Sequence, residues 1–148
     1  VTIRQILQLS RKILFVFETL IDKMGENNKF KWSFVDLYVR IATIIKNMIN
    51  FAELEKYRDM RNPYFKDRSE LIRLCKITLE EAGKQARQKY EMTSLAPGEI
   101  KKAIDLVSVL RKINVLFGEA DDAQKNKTLI DALRARLEEE EKKKEKKK

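Results

Sequence analysis

The chain has 148 residues, 32 Lys+Arg against 23 Asp+Glu for a net charge of +9, no histidine, one cysteine, two prolines and four glycines. Without histidine there is no Ser-His-Asp triad, no Cys-His nucleophile pair, no His-ligated metal and no imidazole pH switch. A lone Cys75 makes neither an internal disulfide nor a CxxC site. The longest uninterrupted apolar run, residues 13–17, falls far short of the roughly 20 residues that span a bilayer. No signal peptide is expected, since no small-residue cleavage motif follows that run and residues 2–12 are already patterned as helix. The single thiol points to the cytoplasm or another reducing intracellular compartment. The sequence begins at Val1, which leaves an excised fragment, a processed product and a GTG-started frame all open.

Thr2 and Gln5 have capping-box spacing. Ile3, Ile6, Leu7, Ile13, Leu14, Phe17, Leu20, Ile21 and Met24 then recur at three- and four-residue steps, and Gly25 follows as a left-handed stop. These features predict a first amphipathic helix. Residues 26–32 read as a polar connection, with Ser33 and Asp36 as the next cap. Apolar residues at helical spacing predict a second helix over residues 34–57. Asn62-Pro63 breaks it, because proline disfavours helical geometry in the residue before it. The spacing of Asp67 to Glu70 predicts the start of a third helix, residues 68–92, whose Ala82 and Ala86 permit a close helix approach. Pro97 is placed as the first residue of a fourth helix. That helix is apolar around most of its circumference and stops at Gly118. Residues 121–126 read as a connection, and a fifth helix carries Leu129, Ile130, Leu133 and Leu137. Residues 138–148 read EEEEKKKEKKK, with Glu–Lys pairs four apart that extend the helix into solvent. The expected fold is all-α: a single five-helix bundle domain, residues 1–137, with a charged tail, residues 138–148.

The tail contributes only +1 of the net charge, so the basic excess lies in the body of the chain: +4 over residues 1–62 and +2 each over residues 63–97 and 98–137. The densest cluster is Lys56-Tyr57-Arg58-Asp59-Met60-Arg61-Asn62-Pro63-Tyr64-Phe65-Lys66-Asp67-Arg68. Its cations could meet phosphates, and Tyr57, Tyr64 or Phe65 could stack on unpaired bases. Alternatively, Tyr57 and Phe65 plug the end of the bundle. At 100° per residue Lys66, Arg73, Lys76, Lys84 and Arg87 share one sector of roughly 80° on the third helix, nearly opposite its apolar stripe. Such a row can track a nucleic-acid backbone without reading bases. Glu80 lies within it, and a salt-bridged solvent face is the competing interpretation. The candidate nucleic-acid-binding residues are therefore Arg58, Arg61, Tyr64, Lys66, Arg68, Arg73, Lys76, Lys84 and Arg87. Lys29-Phe30-Lys31-Trp32 forms a second basic-aromatic cluster, with Trp32 either tucked under a loop or presented to a partner. Lys101, Lys102, Arg111 and Lys112 read as ordinary solubility charges.

Catalytic parts are missing. There is no glycine-rich phosphate cradle, the acid pairs Glu80-Glu81 and Asp121-Asp122 diverge by about 100° on a helix, and Cys75 sits on an apolar stripe that blunts a thiol. No enzyme, cofactor or metal is expected. In size, helicity and charge the chain resembles the small helical subunits of CRISPR interference complexes, which line nucleic-acid strands. The segment from Leu95-Ala96-Pro97-Gly98-Glu99-Ile100-Lys101 to Gly118 resembles the proline-started helix of phage small terminase subunits. It covers about a sixth of the chain, and no helix-turn-helix of the kind such subunits usually carry precedes it. Both resemblances imply a non-enzymatic, multi-copy, nucleic-acid-handling protein and transfer no residue roles. The expected function is a subunit that contacts a DNA or RNA backbone, sequence-independently, beside other protein subunits or copies of itself. The alternative is a helical scaffold or adaptor acting through protein contacts only.

Overall fold

The computed structural model describes residues 1–25, 28–93 and 97–147, and the fold is all-α. Five helices run along the chain: α1 (Ile3–Met24), α2 (Lys31–Met48), α3 (Phe65–Met92), α4 (Pro97–Leu116) and α5 (Ala120–Lys146), with a 3-10 turn at Glu53–Tyr57. Among the described residues no strand occurs and no helix is long and apolar enough to cross a membrane. Glu26 of the expected first connection, Leu95 and Ala96 ahead of Pro97, and Lys148 of the tail lie outside the described residues. The chain divides into two compact units, residues 1–78 and 79–148, and the division falls inside α3.

In the first unit α1 is closed at both ends as its sequence predicts. The Gln5 N–H donates to Thr2 Oγ1 (3.1 Å) and the Thr2 N–H to Gln5 Oε1 (2.9 Å), completing the capping box. Gly25 takes φ +79°, a region open to glycine, and its N–H reaches the Ile21 carbonyl. Ile3, Leu7, Leu14 and Phe17 are buried. Phe17 meets α2 through Phe34 (centroids 6.4 Å, 77°) and Tyr38 (5.3 Å).

Three asparagines move the boundaries of the following elements. Asn28 Oδ1 accepts the Phe30 N–H (2.8 Å) and its carbonyl accepts the Lys31 N–H, so α2 starts at Lys31 and not at Phe34 behind a Ser33 cap. Lys31 and Trp32 are thus the first helical turn, not connection. Asn50 Oδ1 accepts the N–H groups of Ala52 (3.1 Å) and Glu53 (3.4 Å), which ends the regular helix at Met48 and restarts the chain as the 3-10 turn. Asn62 Oδ1 accepts the Tyr64 N–H (2.9 Å), and α3 begins at Phe65 without using Asp67 as its cap.

In the second unit Leu79, Ala82, Ala86 and Tyr90 of α3 are buried, and a Cβ at Gly83 would lie 3.5 Å from Val107 of α4. Pro97 opens α4, whose Ile100, Ala103, Ile104, Leu106, Val107, Leu110 and Ile113 are buried around most of its circumference. The Gly118 N–H donates to the Val115 carbonyl and the Glu119 N–H to that of Asn114 (2.8 Å), a Schellman closure with Gly118 at φ +73°. That turn leads directly into α5. Residues 121–126, expected as a connection, are helical, and Asp121 and Asp122 in the first turn complement the positive helix end. The tail continues α5 to Lys146, with Glu140 near Lys143 and Glu141 near Lys101 (both 4.0 Å).

Candidate nucleic-acid interface

The cationic residues of the first unit surround the chain between the 3-10 turn and α3. Arg61 is held by its own neighbour: Nε and Nη2 donate to Asp59 (3.2 and 2.9 Å), and the Arg61 N–H donates to the same carboxylate (2.9 Å). The guanidinium beside it keeps the Asp59 carboxyl below the ordinary carboxylate value. Arg58 lies 3.4 Å from Glu55. Both pairs are exposed, and exposed pairs are worth only about 0–1 kcal/mol. A phosphate can take either cation from its partner at little cost. Arg68 differs, since its Nε donates to the Leu54 carbonyl (2.8 Å) and fastens the 3-10 turn to α3.

Tyr64 is half-buried. Its ring meets Tyr57 edge-on (5.5 Å, 67°) and lies 5.2 Å from the Arg4 guanidinium. One aromatic surface is therefore occupied by Arg4. Tyr57 and Phe65 are also half-buried.

The α3 cations of this unit owe their freedom to α1. Asp67 and Glu70 lie close in sequence to Lys66 and Arg73, but each is taken by an arginine of α1: Arg4 meets Asp67 at 3.1 Å, and Arg11 pairs with Glu70. Lys66 and Arg73 are exposed, Lys76 is half-buried, and among the described residues none of the three has a carboxylate at ion-pair distance. This neutralisation from α1 links positions 63 residues apart, so no local reading of α3 detects it.

In the second unit the row is weaker. Glu80 pairs with Lys84 (3.5 Å), and Arg87 is half-buried with its Nε enclosed and unbonded. Lys89 and Lys102 both approach Glu99 (3.0 and 3.5 Å), so they serve the start of α4. Lys31 lies 5.1 Å from the Trp32 ring, a cation–π contact within the first turn of α2. Cys75 is 1% exposed, and burial pushes its thiol up to about 12 against the opposing charge of Lys46. It is a core residue.

Sequence reasoning passed over a further set of cations. Arg111 and Lys112 of α4 face Lys127 and Arg134 of α5 across a groove. Arg111 and Lys112 are neighbours in sequence, and the available signal was the seven-residue step from Lys127 to Arg134, which returns to the same side of α5.

The model of the TP0443 family matches residues 1–141, and the chain belongs to that family. No curated protein and no solved structure matches it.

Proposed function

We propose that this TP0443-family chain is a non-catalytic, basic helical subunit that contacts a nucleic-acid backbone without reading its sequence, within a larger nucleoprotein assembly in a reducing intracellular compartment. The observation that carries the proposal is the unneutralised trio Lys66, Arg73 and Lys76, whose nearby carboxylates Asp67 and Glu70 are engaged by Arg4 and Arg11. The first unit also holds most of the charge excess, with 15 basic against 9 acidic residues over 1–78. Arg58 and Arg61 join by exchanging exposed carboxylates for phosphates, as does Lys84 in the second unit. Arg68 and Arg87 act in support through their packing, and Tyr64 is the aromatic side chain offered for stacking.

The test is binding of a fluorescent single-stranded oligonucleotide to the purified chain across a salt series. Tight binding at low salt that falls steeply toward physiological salt is expected. Changing Arg61, Lys66, Arg73 and Lys84 together to Glu should abolish it with helicity intact. Binding that survives those changes removes the site assignment.

A second reading, a scaffold working through protein contacts, is favoured by one observation. Leu9, Val16 and Leu20 fall within about 40° on α1, yet are 48%, 65% and 41% exposed. A chain that ignores oligonucleotides but changes its sedimentation when Leu9 and Val16 become Glu is an adaptor.

A further inference from the structure

The second unit carries a groove of about 500 Å³ framed by α4 and α5. Its walls place Arg111 and Lys112 opposite Lys127 and Arg134. All four cations are exposed, and among the described residues none has a carboxylate at ion-pair distance, including Asp131 on the same wall. With Asp131 counted the lining has a formal charge of +3, and none of its four cations is ion-paired to that carboxylate. Several other cations of this unit do have carboxylate partners: Lys84 has Glu80, Lys89 and Lys102 have Glu99, and Arg136 has Glu91. The groove instead gathers four cations without carboxylate partners on one surface.

Each helix contributes through the same period, i, i+3, i+4 and i+7, so the cations stand on two facing strips of rigid backbone and not on loops. Two arginines suit bidentate contact with phosphate oxygens, and the two lysines add point charges. Exposed Val115 supplies the apolar surface of the α4 strip, with buried Ile130 beneath the α5 strip, and Ser108 supplies a hydroxyl. The volume lies in the range of small-molecule sites, about 300–1,000 Å³.

We propose that the α4–α5 groove binds a small ligand carrying two or more linked phosphates. Arg111, Lys112, Lys127 and Arg134 hold the phosphates, and Val115 with Ile130 accommodates any apolar or ring portion. Inorganic polyphosphate and a nucleoside polyphosphate share this chemistry. The site uses none of the residues assigned to backbone contact and does not depend on that reading.

The full chain is titrated calorimetrically with sodium tripolyphosphate and, separately, with ATP, at fixed ionic strength and with sulfate as the control anion. Saturable binding of at least one probe is expected. Arg111→Gln/Arg134→Gln should weaken it tenfold or more, as should Lys112→Gln/Lys127→Gln, with helical circular dichroism unchanged. Lys66→Gln/Arg73→Gln should leave it intact. Tighter binding of ATP than of tripolyphosphate assigns a nucleoside to the apolar surface, and equal binding assigns the phosphates alone. The proposal is overturned if neither probe saturates, if sulfate competes equally, or if both groove variants bind like the unaltered chain. It is equally overturned if the groove changes cost affinity only for an oligonucleotide.

Discussion

Arg4 joins α1 to the start of α3 in two ways: its Nε lies 3.1 Å from Asp67 Oδ2, and its guanidinium carbon lies 5.2 Å from the centroid of the Tyr64 ring. The carboxylate side chain is only 19% exposed, so the pair is better shielded than most surface ion pairs. Arg4→Ala should destabilise the chain by about 1 kcal/mol, from the ion pair and the cation–π contact together. It should also weaken oligonucleotide binding by returning an unpaired Asp67 to the neighbourhood of Lys66. Urea unfolding and anisotropy measure the two effects, and a variant that lost neither would remove Arg4 from this role.

Gly83 sits mid-helix in α3 with no left-handed φ, and an added Cβ would meet Val107 at an ordinary 3.5 Å. Gly83→Ala should therefore stabilise the chain by about 0.5–1 kcal/mol, through helix propensity and a less flexible unfolded state. Thermal unfolding checks the sign. A loss would mean that α3 and α4 pack more tightly there than the Cβ distance indicates.

Asn114 is 2% exposed on α4, and its amide donates to Asn126 Oδ1 of α5 at 2.7 Å. Asn126→Ala leaves that buried amide unpaired and should cost about 1–3 kcal/mol. Replacing both residues by Leu should be neutral or stabilising, because no polar group is then left without a partner. Equal losses in the single and double variants, read by urea unfolding, would show that the amide pair is not what matters.

The Cys75 thiol has its proton held by burial up to about 12, above the ordinary value of 9.0. Below about pH 9 the thiol is protonated in both folded and unfolded states and adds no pH dependence. Between about 9 and 12 the unfolded chain binds fewer protons, so stability should fall with rising pH by up to about 1.4 kcal/mol per unit from this group. Cys75→Ala should lack that component, and the native thiol should resist aromatic disulfide reagents at pH 8. Rapid native labelling would place Cys75 outside the core.

The ends of α1 and α4 were legible because Thr2, Gln5, Gly25, Pro97 and Gly118 perform there the local roles their chemistry favours. The starts of α2 and α3 were not, because Asn28 and Asn62 accept backbone N–H groups where Ser33 and Asp67 had better capping spacing. Asn50 similarly cut short a helix whose apolar period ran on to Tyr57. The division inside α3 leaves no shift in composition, since one uninterrupted helix passes through it. The angular sector of Lys66, Arg73 and Lys76 follows from helical period alone. Their lack of carboxylate partners does not, because Arg4 and Arg11 arrive from a distant segment. Arg111 and Lys112 read as solubility charges for the same reason: Lys127 and Arg134 belong to another helix.

The salt dependence of single-strand binding tests the role of the α3 trio most directly. Each phosphate contact contributes about 0.7 to the slope of log affinity against log salt for single strands. Lys66→Gln/Arg73→Gln/Lys76→Gln should accordingly reduce that slope by about 2. A slope identical to that of the unaltered chain would contradict backbone contact by these residues.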